Sequence, residues 1–390
     1  MMDRRDFIKY SSLITAAGIL PEWAFAAGKP QRQNKILILV ELKGGNDGFN
    51  TLVPHHDPLY KEYRGKIALL PRQTIPLRNA GGRALAPSLK AIAPLWNDHQ
   101  MAWIEGVGYP NSVLSHFRSI DIWDTASNAN EVLNDGWLSK LLPNYKKGLH
   151  GIAINPGQVD LGPLEGTNIN SVTMQNPLTF LSQARYVKDI KTSRQTAALA
   201  HITNKQHQLH DVSKQINKSI GKRGAALNVM RRVRGEVGHS LESVAEMIVN
   251  GVDSPVYKVT QGGFDTHADQ LGAHNNALFQ LSEGLAAFVA AMKRYKMWDN
   301  VLIVTYSEFG RRAKVNKSAG TDHGTASAHM VLGGKVRGGR IYGKHPDLSK
   351  LDENGNVHYT TDFRSLYATI GRRWLRQSTP WNKFGTIPFI

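Results

Sequence analysis

Six short runs rich in valine and isoleucine, each closed by glycine or a polar cluster, constrain this chain more than any other feature. They are Ile36 to Leu42, Met101 to Val107, Ile152 to Ile154, Val256 to Thr260, Val301 to Tyr306 and His329 to Leu332. Runs this short and this continuously apolar read as buried parallel strands. Helical patterns lie between them. Leu278, Leu281, Leu285, Phe288, Val289 and Met292 recur at helical spacing between two of the runs, as a βαβ crossover requires. Leu85, Leu89, Ile92 and Leu95 predict another helix before the Met101 run. The fold class is therefore α/β, a central mostly parallel sheet flanked by helices on both faces.

In such sheets the ligand site lies beyond the carboxyl ends of the strands, so the residues that follow each run carry the functional argument. Lys43-Gly44-Gly45-Asn46-Asp47-Gly48 follows the first run and offers a carboxylate, Asp47, in a glycine-rich turn; the same residues also make ordinary turn chemistry. After the Met101 run, Ser115 stands at a helix start, followed by His116 and Arg118. It reads either as an N-cap or as a hydroxyl placed beside free backbone amides, where an anion binds. Gly262-Gly263-Phe264-Asp265-Thr266-His267-Ala268-Asp269 packs two carboxylates and an imidazole into five residues, a donor mixture suited to Zn or Mn. Ser307-Glu308-Phe309-Gly310-Arg311-Arg312 adds a carboxylate and two guanidinium groups. In Thr321-Asp322-His323-Gly324-Thr325, Asp322 either ligates or orients His323.

Composition narrows the chemistry. The 390 residues contain no Cys, which excludes a disulfide scaffold, a zinc ribbon, an iron–sulfur protein and a Cys nucleophile. A net charge of +17 calls for anionic partners. Much of it sits between Arg185 and Arg234, where 12 Lys or Arg face only Asp189 and Asp211. This polar, helical texture predicts a basic helical insertion at about 185–250, either a solvated face or a surface for an anionic polymer.

The N-terminus sets the compartment. Arg4-Arg5 precedes a weakly apolar run from Leu13 to Leu20, and Ala24-Phe25-Ala26 supplies a small-x-small cleavage signal. Residues 1–27 therefore read as a twin-arginine signal peptide, and 28–390 as a single α/β domain, periplasmic or secreted. The export machinery is then a partner and nucleic acid is not. No mature apolar run reaches the roughly 18 residues of a membrane span.

Gly44 to Gly48, Ser115-His116-Phe117, Phe264 to His267, Ser307 to Arg311 and Gly320 to Thr325 resemble the signature blocks of the twin-arginine-exported domain-of-unknown-function family 1501, a sulfatase-like branch of the alkaline phosphatase superfamily. The resemblance implies an alkaline-phosphatase-like fold and a site that hydrolyses phosphate or sulfate esters with one or two divalent metals. Carried over, the metal positions are Asp47, Asp265, His267 and His323, with Glu308 or Asp322 completing the shell. Ser115 matches the nucleophile position; alternatively the metal activates water directly and Ser115 only caps, and in either reading Arg118 or Arg311 would neutralise the transferring group, with His116 beside them. Phe309 stands where the superfamily has a histidine, so the second metal lacks a ligand. The Cys/Ser-x-Pro-x-Arg block of classical sulfatases is absent.

The expectation is an exported, metal-dependent hydrolase of a phosphate or related anionic ester, small or polymeric, with Zn or Mn as cofactor. The rival is a catalytically degenerate exported protein that binds anionic envelope polymer through its basic helices.

Overall fold

The computed structural model describes residues 35–145, 148–154, 160–186, 197–220, 230 and 234–390. The signal peptide expected over residues 1–27 lies outside them, as do Lys188, Lys191, Arg194, Lys222, Arg223, Arg231 and Arg232 of the basic stretch.

Each of the six apolar runs forms a strand, and the described residues assemble a nine-stranded sheet. In chain order its strands are β1 (Ile36–Leu42), β2 (Met101–Gly108), β3 (Leu149–Ile154), β4 (Asn170–Met174), β5 (Val256–Gln261), β6 (Val301–Tyr306), β7 (Ser327–Gly333), β8 (Arg340–Gly343) and β9 (Thr361–Asp362). The spatial order is β8-β2-β7-β6-β1-β5-β3-β4, with β9 beside β2. The pairings of β1 with β5 and β6, of β3 with β4 and β5, and of β2 with β8 and β9 are parallel. The run at His329 corrects one expectation, because β7 is antiparallel to both β2 and β6.

Side chains alternate across the sheet, so each strand feeds two cores. Ile36, Ile38, Val40 and Leu42 enter one, and Leu37 and Leu39 the other. Five helices matter for the site and its support: α1 (Pro58–Arg64), α2 (His116–Thr125), α3 (Ala197–Ile220), α4 (Gly235–Val249) and α5 (Gln270–Arg294). The predicted apolar stripe of α5 packs into the first core, while Ile122 and Trp123 of α2 fill the second.

Two further expectations are corrected. Leu85 to Leu95 is no continuous helix but a short strand (Ala84–Leu85), a 3₁₀ turn (Pro87–Leu89) and a four-residue helix (Pro94–Asn97). Pro87 and Pro94 lack the amide a helix interior needs. The basic segment is also not all covering: α4, inside the expected insertion, buries Val237, Leu241, Val244, Ala245, Met247 and Ile248 in the first core. Arg185, Lys214, Lys218 and Arg234 are exposed. No helix among the described residues is long and apolar enough to cross a membrane.

Candidate metal centre at the strand ends

The tips of β1, β5 and β6 and the start of α2 meet at one edge of the sheet. Because β7 runs against its neighbours, the segment before it, Thr321 to Thr325, arrives at that same edge. Close approach there is made possible by glycine. Gly44 has φ +114°, and a Cβ on it would lie 2.4 Å from the Asp265 amide nitrogen; on Gly45 it would strike the Phe309 ring at 2.3 Å.

Three imidazoles and one carboxylate converge. The ligand atoms of His116, Asp265 and His323 all lie within 4.8 Å of one another. His267 Nε2 is 3.0 Å from Asp265 Oδ1 and 3.0 Å from His323 Nε2. His323 Nε2 and His116 Nε2 each stand 3.4 Å from an Asp265 oxygen.

Every one of these rings turns its Nδ1 outward to an acceptor. His116 Nδ1 donates to Glu308 Oε1 at 2.9 Å, His323 Nδ1 to the Leu114 carbonyl at 2.7 Å, and His267 Nδ1 to Asp322 Oδ1 at 3.3 Å. These bonds place a proton on Nδ1, so in its neutral form each ring turns an Nε2 lone pair towards Asp265, and in its protonated form a second N–H. The His267 and His323 Nε2 lone pairs, 3.0 Å apart, repel unless a proton or a metal cation lies between them, and imidazole with carboxylate is a donor set for Zn or Mn. Phe309 is buried against both His116 and His323, its ring centroid 4.9 Å and 4.2 Å from theirs, and walls the pair, whose own centroids are 4.5 Å apart.

Burial alone would raise the Asp265 carboxyl, but the hydrogen bond and charge of Arg311, with His116 and His267, hold it below its ordinary value. Asp322 is held low chiefly by the Asn316 hydrogen bond, with His267 and Arg312 adding. Burial pushes His323 down, and the nearby Arg311 and His116 charges push the same way.

Several expected site residues have other duties. Asp47 is fully buried and saturated: Arg64 takes both oxygens, one at 2.9 Å, Gln270 donates to Oδ2, and the Phe49 and Asn50 amides donate to Oδ1. It caps a 3₁₀ turn and has no lone pair turned to the cluster. Arg311 is buried and spent on the Gly45, Thr321, Gly44 and Phe264 carbonyls and on Asp265 at 2.6 Å, so it locks the loops and does not face the cleft. Arg118 points along α2 to Asp121 and to the carbonyls of Asn128, Ala129 and Glu131. Glu308 and Asp322 hold imidazoles from behind, the latter His267 rather than His323. Ser115 is the first residue before α2, exposed, and its side chain makes no capping hydrogen bond. Asp269 is exposed and stands apart from the cluster.

The cluster opens on a cleft of about 910 Å³ lined on its polar side by Glu41, Lys43, Asp160, Asp265 and Glu308. Beneath it lies a buried group that sequence reasoning missed. Lys258 Nζ is 3.1 Å from Glu41 and 2.9 Å from Asp160. Burial opposes the Lys258 charge, yet Glu41, Asp124 and Asp160 hold its ammonium above its ordinary value. Asp124 is pushed well up by burial, against the pull of Lys258. The signal was present: Glu41 and Lys258 each interrupt an apolar strand, and a charge there needs a partner. No comparable signal marked Arg64 as the partner of Asp47.

A sequence profile described as Protein of unknown function (DUF1501) matches residues 96–374. A comparison with curated proteins finds no match. Among solved structures, the chain is similar to Ps i-CgsB at 11% identity and TM-score 0.43, with 90% of this chain and 75% of that chain covered. It is similar to the PsFucS1 sulfatase from Pseudoalteromonas sp. at 12% identity and TM-score 0.42, with 91% and 71% covered. A protein in the alkaline phosphatase superfamily from Vibrio parahaemolyticus gives 10% identity and TM-score 0.39, with 92% and 68% covered.

Proposed function

The chain belongs to the DUF1501 family, and we propose that in it the strand-end cluster is the site of an exported, metal-dependent hydrolase of a phosphate or related anionic ester. The observation that supports this reading is the outward Nδ1 proton on three imidazoles whose Nε2 atoms face Asp265. His116, His267, His323 and Asp265 would hold the metal, Zn or Mn by donor type. When bound, it supplies a positive centre that offsets charge on the ester and acidifies an oxygen nucleophile.

The chain's own residues supply the rest. Arg311 fixes the Asp265 oxygen, Glu308 and Asp322 fix two rings, and the Leu114 carbonyl fixes the third. Ser115, exposed one residue from His116, is the candidate nucleophile; a water molecule is the alternative attacker. Export follows from Arg4-Arg5 and Ala24-Phe25-Ala26, with the twin-arginine machinery as partner. Replacing both arginines by Lys is expected to strand the protein in the cytoplasm, read by cell fractionation.

The cleft lining sets the decisive test. Glu41 and Asp160 are paired with Lys258 and Asp265 with Arg311, so among the described residues the cluster itself offers an anion no unpaired cation, and phosphate is expected there only with a metal in place. Calorimetry of inorganic phosphate on Zn- or Mn-loaded protein is expected to show binding that vanishes in chelator and in His323→Ala. Wild-type protein that takes up no divalent metal, or phosphate binding unaffected by chelation, overturns the reading.

A further inference from the structure

Phe117 exposes 88% of its surface, more than any other large apolar side chain among the described residues, although it directly follows His116 and lines the same cleft. A lone exposed apolar residue needs no explanation. Here it has company: Ile120, one turn further along α2, and Ala268 and Ala273 also line the cleft. One space therefore carries the charged cluster and an apolar wall.

Its size points the same way. At about 910 Å³ the cleft has the capacity of an organic ligand site, far more than a phosphoryl group fills. The helix turn that carries Phe117 is held in place. Arg118 ties the first turn of α2 to Asp121 and to the carbonyls of Asn128 and Ala129, and Glu308 holds His116 at 2.9 Å. An aromatic ring on a held helix turn beside a charged centre offers a partner ring a stacking face.

We infer that Phe117 is the platform for the alcohol portion of the ester, and that this portion is a ring whose apolar face stacks on it, either an aryl group or the C–H face of a pyranose. The inference rests on the hydrolase reading, because the anionic head of the same molecule is placed at the His116, Asp265 and His323 cluster. Phe117 is a specificity determinant and takes no part in bond making.

The test uses the metal-loaded full chain as wild type, Phe117→Ala and Phe117→Trp, all expected to fold because the side chain is solvent-exposed. Calorimetry with phenylphosphonate, glucose 1-phosphate and methylphosphonate separates ring from head. Wild type is expected to prefer one ring-bearing anion over methylphosphonate by about tenfold. Phe117→Ala should erase that preference without changing methylphosphonate binding, and Phe117→Trp should restore it. Whichever ring shows the preference identifies the source. Saturation-transfer NMR with benzyl alcohol and methyl glucoside reads the platform without the anion. A ring signal that disappears in Phe117→Ala, while no phosphonate binds, leaves the platform standing and sinks the ester reading. A ring preference that survives in Phe117→Ala, or ring-only probes bound equally by wild type and that variant, overturns the inference.

Discussion

Glu308 Oε1 accepts the His116 Nδ1 proton at 2.9 Å and the Gly44 backbone amide at 2.8 Å. One buried carboxylate oxygen thus couples the orientation of an imidazole to the turn after the first strand. The Ser307 hydroxyl, which donates to the Leu42 carbonyl at 2.6 Å, lies 3.2 Å from the other oxygen, so the carboxylate is packed between fixed polar groups.

Replacing Glu308 by Gln keeps the shape but offers His116 a weaker acceptor. Loss of such a partner behind a ligating histidine costs 10–100-fold in metal affinity, roughly, and that is the expected fall. Competition against a chromophoric chelator measures it. Unchanged affinity in a folded Glu308→Gln protein would remove His116 from the ligand set.

The two arginines expected at the site should separate in stability. Arg311 is fully buried and tied to four carbonyls and Asp265. Arg311→Met therefore leaves several acceptors unsatisfied and should cost about 3–5 kcal/mol in urea unfolding. Arg118 is partly exposed and braces one loop, so Arg118→Ala should cost about 1 kcal/mol. Equal losses would contradict the assignment of Arg311 as the lock.

His329 predicts part of the acid limb of stability. It is buried, neither ring nitrogen has a hydrogen-bond partner among the described residues, and burial pushes its pKa down to about 3. Between its unfolded value of about 6.5 and that point only the unfolded chain binds the proton, so stability falls as pH falls. His329→Leu should flatten the limb by about 2 kcal/mol between pH 6.5 and 5, read by urea midpoints at each pH. His274, pushed down by burial to about 4, keeps its own share. An unchanged limb in His329→Leu would show that the ring titrates in the folded state.

Ser115→Ala tests the nucleophile without confusion from folding. A capping Ser costs about 1 kcal/mol when removed, but here the side chain makes no capping bond. Stability should change by less than about 0.5 kcal/mol, while turnover of an activated phosphate ester should be abolished. Retained turnover with intact metal assigns the attack to water.

The strands are legible because a buried strand announces itself by continuous apolar residues; the Ile36–Leu42 and Val301–Tyr306 boundaries match the runs themselves. The donors Asp265, His267 and His323 are legible because they follow or precede such runs. Their partners are not. In sequence His116 reads as a catalytic neighbour and Glu308 and Asp322 as ligands, because sequence shows which groups can ligate but not which way a ring is turned. Asp47 offers the same carboxylate on paper, and Arg64, 17 residues away, with Gln270, makes it structural.

By itself, the sequence determined the α/β class, the core and the inventory of chelating side chains, since hydrophobic periodicity and residue chemistry are local properties. The tertiary structure decided which of them meet. The reversed direction of β7 carries His323 to the edge where β1, β5 and β6 end, and strand direction is a long-range property of sheet pairing that no local pattern records.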